Sequence, residues 1–481
     1  MPNPITCGHH IAGRWEPTGA REILRANPAD TGELVARAPE GGAPEARRAV
    51  DGAHAAAEKW RKVIPPERGK VVLRAARLLE DRLEEVATLL TREQGKLLAE
   101  SRAEVKRAID IMEYAAGLGR RLGGQTLPAE APGVFCYTLR QPVGPVALLT
   151  PWNFPVAIPC WKIAPALVCG DPVVFKPSPL TPATAVRVVE IFLEAGVPPD
   201  VLSLVHGGAA VGTALVDDPR IAGISFTGST RVGMAINAAA ARRMARTQLE
   251  MGGKNPQVVL ADADLASAVE ACVTAAFGST GQRCTATSRA IVEKKAAAEF
   301  TDRLIARATA LRLGRGDAAG VEMGPVVDNH RLAEVEGFVD RARRDGAEVV
   351  AGGSRPQDLA NGHFYAATVV RARPEQEIAR EEVFGPVLSV IEAADFEQAL
   401  RIANSVDYGL CASVFTRDIG RALTFVDRIE AGMIHVNRPG LGGFAHFPFG
   451  GLKHSSFGAR EVGEDTLGFF TDLKSVYIRQ E

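Results

Sequence analysis

From residue 143 onward, short apolar runs alternate with stretches of helical periodicity, and this alternation limits the possible folds more than any other feature. Four runs are predicted strands, at 146–149, 173–175, 201–205 and 221–226. Four helices are predicted among them, at about 160–168, 182–195, 209–216 and 231–243. Strand–helix alternation of this kind is typical of a parallel sheet covered by helices. The sequence therefore predicts an α/β fold.

A second α/β unit is predicted after Glu250. Its apolar runs lie at 257–260, 290–292, 348–350, 366–370 and 387–391. Segments rich in glycine and proline, 252–256 and 439–451, indicate two hinges. Before both units, residues 43–60 and 66–121 carry apolar side chains at helical spacing and predict amphipathic helices of a solvated outer layer.

Two further segments are predicted to be extended. Gly123 and Gly124 end the helical region, and residues 134–141 then predict one strand of a protruding hairpin. Residues 471–479 predict a last strand.

Composition excludes several classes of function. The 481 residues are 46% hydrophobic and carry a net charge of −1 without a basic stripe, which argues against nucleic acid as a partner. No apolar run reaches the roughly 20 residues that span a bilayer, and no signal-peptide pattern stands at the start. Seven scattered cysteines without a Cys-x-x-Cys pair predict a reducing, cytoplasmic location. The histidines show no metal-ligand spacing, so no metal is expected.

One cysteine and one carboxylate are candidates for covalent catalysis. Cys284 follows a loop of small residues, Gly278-Ser-Thr-Gly281, and Glu250 lies 34 residues earlier. A thiolate can attack a carbonyl, and a carboxylate with a pKa near neutrality can later activate water. A cysteine taken alone is more often a buried small apolar residue.

Several loops at strand ends are candidates for binding a cofactor. The dinucleotide fingerprint Gly-x-Gly-x-x-Gly follows none of the predicted strands. Instead Ser225–Thr230 ends a strand and opens a helix, where backbone N–H groups can hold a phosphate. The stretch from Gly208 to Gly212 permits close backbone approach. A turn that simply requires glycine is the alternative for both.

Three more strand ends carry polar candidates. In Thr150–Pro155, the Asn153 amide is suited to stabilise an oxyanion, and an Asx-turn is its alternative. Lys176 could bind ribose or phosphate, or lie on the surface. Glu382 precedes Phe384 and a Gly-Pro turn, where a solvated acid is the alternative.

Seven motifs occur along the chain in a fixed order: Pro-Trp-Asn-Phe-Pro at 151–155, Lys-Pro-Ser at 176–178, Phe-Thr-Gly-Ser at 226–229, Glu-Met-Gly-Gly-Lys-Asn-Pro at 250–256, Gly-Gln-Arg-Cys at 281–284, Glu-Val-Phe-Gly-Pro at 382–386 and Pro-Phe-Gly-Gly-Leu-Lys at 448–453. Together they resemble the NAD(P)-dependent aldehyde dehydrogenases over essentially the whole chain. The resemblance implies a cofactor-binding domain (1–122 and 142–251), a catalytic domain (252–450) and an oligomerisation arm (123–141 and 470–481). It also implies a homodimer or homotetramer.

The resemblance assigns roles to particular residues. It implies that Cys284 is the nucleophile, Glu250 the general base and Asn153 an oxyanion donor. It further implies that Lys162 and Glu461 form a buried proton path, with a helix or surface charge as the alternative. The cofactor contacts that it implies are Thr150, Pro151, Trp152, Lys176, Ser178, Pro179, Gly208, Gly212, Phe226, Gly228, Ser229, Glu382 and Phe384.

Three departures from the family pattern stand out. The loop His206-Gly207-Gly208 is one residue shorter than the commonest family pattern, so the resemblance does not predict the geometry of this loop. Met251 replaces a leucine, a swap that cores tolerate. Pro179 stands where NAD-preferring members carry a glutamate that repels a 2′-phosphate, so we expect NADP or NAD to be used, with NADP favoured.

Within the family, three stretches look most like 2,5-dioxopentanoate (α-ketoglutaric semialdehyde) dehydrogenases: 155–162, 281–289 and 435–439. This resemblance implies a short aldehyde with a distal carboxylate, which a cation would bind. Arg283 and then Arg438 are the candidates for that cation, and Phe154 is a further candidate substrate contact. For Arg283 an outward-pointing arginine is the alternative. Succinic semialdehyde or a less polar aldehyde are alternative substrates.

Three other functions compete with this interpretation. A CoA-acylating dehydrogenase would lack the water-activating acid, and Glu250 is present. A non-enzymatic relative would have lost Cys284 or Asn153, and both are present. A cysteine esterase would use the same thiolate and acid without a nicotinamide cofactor, so an assay of cofactor dependence separates it.

Overall fold

A computed structural model describes residues 3–16 and 21–479. The few predicted positions outside this part are residues 1–2 and 17–20 of the cofactor-binding domain and residues 480–481 of the arm. Within residues 3–16 and 21–479, none of the helices combines the length and the apolar character needed to cross a bilayer.

The N-terminal part begins with short strands that the sequence analysis did not predict: β1 (Ile5–Thr6), β2 (His9–Ile11), β3 (Arg14–Glu16), β4 (Glu22–Asn27) and β5 (Asp30–Pro39). The strands β1, β2 and β3 have only two or three residues each, which is too short for a period-two pattern to be recognised. Four helices follow: α1 (Ala43–Lys62), α2 (Pro65–Asp81), α3 (Leu83–Gln94) and α4 (Leu98–Leu118).

The predicted helical segment 66–121 is thus divided into three helices. Arg82 leaves helical geometry between α2 and α3, and Gly95 adopts the left-handed conformation (φ 99°) that ends α3. These helices are not merely a solvated outer layer, because α2, α3 and α4 bury one face in the largest hydrophobic core of the molecule. The solvated-layer expectation was wrong because only half of each helix surface faces water.

The first large sheet contains the predicted strand–helix alternation. The strands β6 (Thr126–Leu127) and β7 (Val134–Pro142) precede it in the chain and belong to another sheet. The elements of the alternation are then β8 (Val146–Leu149), α5 (Ala157–Cys169), β9 (Val173–Lys176), α6 (Pro182–Glu194), β10 (Leu202–Leu204), α7 (Ala209–Asp217), β11 (Gly223–Thr227), α8 (Thr230–Ala241) and β12 (Arg246–Glu250). Strands β12, β11, β8, β9 and β10 are adjacent in that order and parallel, so their carboxyl ends meet at one edge. The antiparallel strands β2 and β3 extend the sheet beyond β10.

The second large sheet has the order β15-β16-β17-β14-β13-β19-β20 and is parallel except for β15. The elements of this part of the chain, in order, are β13 (Asn255–Val259), α9 (Leu265–Phe277), β14 (Thr287–Glu293), α10 (Lys294–Thr309), α11 (Asn329–Arg344), β15 (Glu348–Ala351), β16 (Thr368–Arg371), α12 (Glu377–Arg380), β17 (Val387–Ala393), α13 (Phe396–Asn404), β18 (Tyr408–Gly409), β19 (Cys411–Phe415), α14 (Ile419–Arg428) and β20 (Met433–Val436). The short strand β18 lies outside this sheet. The two parallel sheets make this an α/β fold, as predicted.

The C-terminal part returns to the first sheet and then forms a third. It contains β21 (Leu452–Lys453), β22 (Ser456–Phe457), α15 (Leu467–Phe470) and β23 (Thr471–Arg479). Strand β22 pairs antiparallel with β12, although the domain prediction left 451–469 unassigned. Strand β23 pairs with β7 over nine residues, and β6 pairs with the other edge of β7. This three-stranded sheet coincides with the predicted arm, whose role in oligomerisation stays a prediction.

Candidate active site

The carboxyl ends of the parallel strands bring the predicted loops together. Register aligns Leu149 of β8 with Lys176 of β9 and with Phe226 of β11, and aligns Thr227 of β11 with Glu250 of β12. Open parallel sheets bind ligands at this edge, where the loops that follow the strands meet.

A cleft of about 690 Å³ lies along this edge. Ten of the predicted cofactor contacts line it: Thr150, Pro151, Lys176, Ser178, Pro179, Gly208, Gly212, Phe226, Gly228 and Ser229. Ser229 immediately precedes α8, so the positive end of this helix faces the cleft. Arg231 and Arg242 also line it, and the sequence analysis missed both. The sequence signal that could have identified Arg231 is a basic residue in the first turn of a helix that follows a glycine-containing strand end.

Lys176 lies at the inner wall of the cleft. Its ammonium group donates to the backbone carbonyl of Pro177 at 2.8 Å and to that of Gly207 at 3.0 Å. Burial lowers the pKa of Lys176 to about 8. The shortened loop at 206–208 thus orients the ammonium group through the Gly207 carbonyl. The third N–H of Lys176 remains free to donate to a ligand.

Trp152, Glu382 and Phe384 lie outside the lining of this cleft. Glu382 accepts the backbone N–H of Gly253 at 2.8 Å, and burial raises the pKa of its carboxyl to about 7. Trp152 and Phe384 contact edge to face, with ring centroids 5.5 Å apart. Glu382 and Phe384 instead share a small pocket with Arg283, beside the cysteine loop.

Backbone strain marks the loop before Cys284. Residues Gly278–Gly281 form a tight turn in which Ser279 and Thr280 have positive φ angles of 49° and 58°, unusual for non-glycine residues. The Glu100 carboxylate accepts the Ser279 N–H at 2.6 Å and holds this turn. On the other side, the Asn255 amide donates to the Cys284 carbonyl at 2.8 Å. Both contacts fix the backbone on either side of the sulfur.

Carboxylates surround the Cys284 thiol. Burial, followed by the charges of Glu250 and Glu382, raises the pKa of Cys284 above its usual range. Burial and the charge of Glu461 likewise raise the pKa of Glu250 well above its usual range. A neutral Glu250 repels a thiolate much less than an ionised one, so protonation of Glu250 favours the nucleophilic form of Cys284.

Glu250 accepts one side-chain hydrogen bond, and a buried ion pair lies deeper in the same sheet. The antiparallel pairing of β12 with β22 places Ser456 opposite Glu250, and the Ser456 hydroxyl donates to the Glu250 carboxylate at 2.7 Å. Deeper in the sheet, Lys162 of α5 forms an ion pair with Glu461 and donates to Ser225 at 2.7 Å. Lys162 and Glu461 are each 1% exposed, which excludes the surface-charge alternative.

Asn153 is 3% exposed, and its amide N–H donates to the Gln282 carbonyl at 3.1 Å, two residues before Cys284. Its second N–H remains for a ligand. The Asx-turn alternative does not fit, because the Asn153 side-chain oxygen that would accept in such a turn has no hydrogen-bond partner among the described residues.

A family model for the aldehyde dehydrogenase family matches residues 15–476. The chain belongs to the aldehyde dehydrogenase family. It is 41% identical to an α-ketoglutaric semialdehyde dehydrogenase of Bacillus subtilis, over 98% of this chain and 97% of that protein. It is 42% identical to an α-ketoglutarate semialdehyde dehydrogenase of Haloferax volcanii, over 98% of both chains.

Among solved structures, the aldehyde dehydrogenase fold of this chain is similar to betaine aldehyde dehydrogenase from Staphylococcus aureus, which was crystallised with NAD⁺. The two superpose with a TM-score of 0.96 at 33% identity, over 99% of this chain and 95% of the other.

The substrate arginines predicted for this aldehyde dehydrogenase have different surroundings. The Arg283 guanidinium points inward, where it pairs with Glu100 at 3.1 Å and contacts Ser279 at 2.9 Å. It also lies 5.8 Å from the centre of the Phe154 ring. The outward-pointing alternative is therefore wrong, but the charge of Arg283 is already neutralised. Arg438 is exposed on the strand-end loop.

Two buried residues that the sequence analysis missed hold the Asn153 loop in this aldehyde dehydrogenase. Lys96 donates to the Asn153 carbonyl at 2.5 Å and to Glu104 at 2.6 Å, and its ammonium group lies 4.1 Å from the centre of the Phe154 ring. Glu104 accepts the first N–H groups of α5, from Val156 at 2.8 Å and from residue 157 at 3.1 Å. Lys96 lies in the turn between α3 and α4 and Glu104 lies in α4, and a polar residue close to apolar ones was the only sequence signal for either.

Proposed function

We propose that this aldehyde dehydrogenase oxidises 2,5-dioxopentanoate to 2-oxoglutarate with NADP or NAD as the electron acceptor. Relatives with this substrate in their names match nearly the full chain at about two-fifths identity. The observation that carries the chemistry is the strained loop before Cys284 that the Asn153 amide bonds, beside a cleft that fits a dinucleotide.

The cleft has the features that a dinucleotide requires. Its length along several strand ends, the start of α8 and the Lys176 ammonium group fit a pyrophosphate and a ribose. The nicotinamide ring supplies the hydride acceptor when the cofactor is bound. Lys176 and Ser229 would hold the adenosine side, while Glu382, Trp152 and Phe384 would hold the nicotinamide side against the cysteine loop.

Cys284 carries out the covalent step. Its thiolate adds to the aldehyde carbon, and the resulting oxyanion is stabilised by the Asn153 amide and the Cys284 backbone N–H. Loss of hydride from the same carbon leaves a thioester on the sulfur. Glu250 then removes a proton from water, which attacks the thioester and releases the carboxylate. The proton leaves Glu250 toward the interior pair Lys162–Glu461.

Removing the oxyanion donor tests this geometry. We expect Asn153→Ala to lower kcat about 10²- to 10³-fold, because the amide acts mainly in the transition state. Steady-state kinetics check the effect, and NADPH titration checks that the cofactor site is intact. The control is Asn329→Ala, at the exposed start of α11. A kcat near the wild-type value for Asn153→Ala would remove this amide from the oxyanion site.

Pro179 tests cofactor choice. Pro179→Glu should raise KM for NADP at least about 10-fold more than KM for NAD, because a carboxylate beside a 2′-phosphate adds like-charge repulsion. Pro179→Gln adds similar bulk without charge and serves as the control. Equal changes for both cofactors would contradict our account of the cofactor preference.

The substrate is tested by comparing 2,5-dioxopentanoate with succinic semialdehyde, benzaldehyde and pentanal. We expect the highest kcat/KM for 2,5-dioxopentanoate. The absence of any advantage for carboxylated aldehydes would overturn the proposed substrate.

The domain boundaries, the oligomeric state and the cellular location complete the proposal. The boundaries 1–122 with 142–251, 252–450, and 123–141 with 470–481 correspond to cofactor-binding, catalytic and oligomerisation units. The sheet of β6, β7 and β23 would pair with a neighbouring copy to give a homodimer or homotetramer, which would cover its edge. A cytoplasmic location fits the free cysteines found within the described residues.

A further inference from the structure

One face of α4 runs from the cysteine loop to the loop at 441–447. Residues 100, 104, 107, 111 and 114 share this face because they are spaced by three or four positions. Glu100 contacts Ser279 and Arg283 at one end. Tyr114 lies beside His446 at the other end, with ring centroids 6.5 Å apart. Arg107 lies between these two contacts.

Arg107 is the uncompensated cation of this face. The two other cations nearby are neutralised, because Lys96 pairs with Glu104 and Arg283 pairs with Glu100. By contrast, within residues 3–16 and 21–479 Arg107 forms neither an ion pair nor a side-chain hydrogen bond, although it is partly buried. On its own helix, Glu104 of the preceding turn is paired with Lys96, and Asp110 of the next turn is exposed.

The guanidinium group of Arg107 lies against the loop at 441–447. A Cβ atom added to Gly443 would lie 3.7 Å from the terminal nitrogen of Arg107, which is an ordinary contact distance. Two aromatic residues of the same loop, Phe444 and Phe447, are exposed. The guanidinium group of Arg107 therefore lies beside this loop and is only partly buried.

The position of Arg107 suits the far end of a five-carbon substrate. Arg107 is seven residues beyond Glu100, or about 10 Å along the helix axis. Arg107 also lies one helical turn beyond Glu104, on the same face of α4, and Glu104 holds the Asn153 loop. A five-carbon chain attached to Cys284 and an extended arginine side chain together bridge such a distance.

The adjacent helix offers a second donor. The indole N–H of Trp161 in α5 is buried without a hydrogen-bond partner among the described residues, while its ring packs on Phe449. Helix α5 packs directly against α4. A buried donor without a partner is costly in the empty site and is satisfied when a ligand oxygen arrives.

We propose that Arg107, rather than Arg283 or Arg438, binds the distal carboxylate of the substrate and selects for acidic aldehydes. This inference rests on the proposed substrate class. Guanidinium–carboxylate contacts are strong when they are partly removed from water, whereas a neutral aldehyde gains nothing from them.

The test compares kcat/KM for 2,5-dioxopentanoate and for pentanal, a neutral aldehyde of equal chain length. In Arg107→Met the value for 2,5-dioxopentanoate should fall about 10- to 100-fold more than the value for pentanal, mainly through KM. Arg107→Lys should recover part of the preference. The matched control is Arg102→Met, on the outer face of α4, where the arginine pairs only with the exposed Glu84. This control should keep the wild-type ratio.

The outcomes separate the inference from the proposed function. A wild-type protein that prefers 2,5-dioxopentanoate, together with an Arg107→Met variant that keeps this preference, would overturn the role of Arg107 alone. A wild-type protein without any preference would overturn the proposed substrate and the role of Arg107 together. Thermal unfolding of each variant shows that the protein is folded, and Arg107→Lys carries the test if the methionine variant is not.

Discussion

We expect Cys284→Ala to abolish aldehyde oxidation, with kcat at least about 10⁴-fold below the wild-type value, because the covalent intermediate forms on the sulfur. The neighbouring carboxylates and amides are far weaker nucleophiles toward an aldehyde than a thiolate. Binding of the cofactor should persist, since the residues that line the cleft do not include Cys284. Spectrophotometric assay of cofactor reduction measures the first effect, and fluorescence titration with NADPH measures the second.

Another cysteine provides the control for this prediction. Cys136 on β7 is partly buried like Cys284 but belongs to the three-stranded sheet. Cys136→Ala should therefore keep kcat within a factor of about two, as is usual for changes away from cores and sites. If Cys284→Ala retained measurable turnover of the same aldehyde, the thioester mechanism would be wrong.

Glu250→Gln separates the two halves of the reaction. The first turnover should still release one equivalent of reduced cofactor per site, because hydride transfer needs only the sulfur and the oxyanion donors. Steady-state turnover should then be about 10²- to 10⁴-fold slower, because water attacks the thioester without a general base. Rapid mixing with 2,5-dioxopentanoate and NADP measures the burst and the steady rate in one experiment.

The pH dependence of the wild-type protein follows from the same residue. Burial and the Glu461 charge raise the pKa of Glu250, so at low pH its carboxyl is neutral and cannot accept a proton. Hydrolysis should therefore accelerate as the pH rises through this pKa, and Glu250→Gln should lose that dependence. If the Glu250→Gln protein showed no burst of reduced cofactor, Glu250 would instead be the group that deprotonates Cys284 before attack.

Local patterns were sufficient to predict the parallel strands and the loops that follow them. Strand β8 and the last strand β23 occur with the predicted bounds, because each is a clear apolar or alternating run. Strand β12, Arg246–Glu250, was not predicted because four of its five residues are polar, and only its position between β11 and β22 makes it a strand. Pairing that is decided by distant segments leaves no local pattern.

The same distinction applies to the site. Cys284 and Glu250 lie in short motifs with recognisable chemistry. The residues that hold these motifs were missed: Lys96 acts on the Asn153 loop 57 positions away, and Ser456 acts on Glu250 across 206 positions. Arg107 carries no motif at all, and it stands out only because its charged neighbours prove to be paired with each other.

The most direct test of the central claim is the intact mass of the Glu250→Gln protein after incubation with 2,5-dioxopentanoate and oxidised cofactor. We predict an added mass equal to 2-oxoglutarate less one water, located on the peptide that contains Cys284. An unmodified Cys284 in a sample that has released one equivalent of reduced cofactor per site would contradict the thioester mechanism.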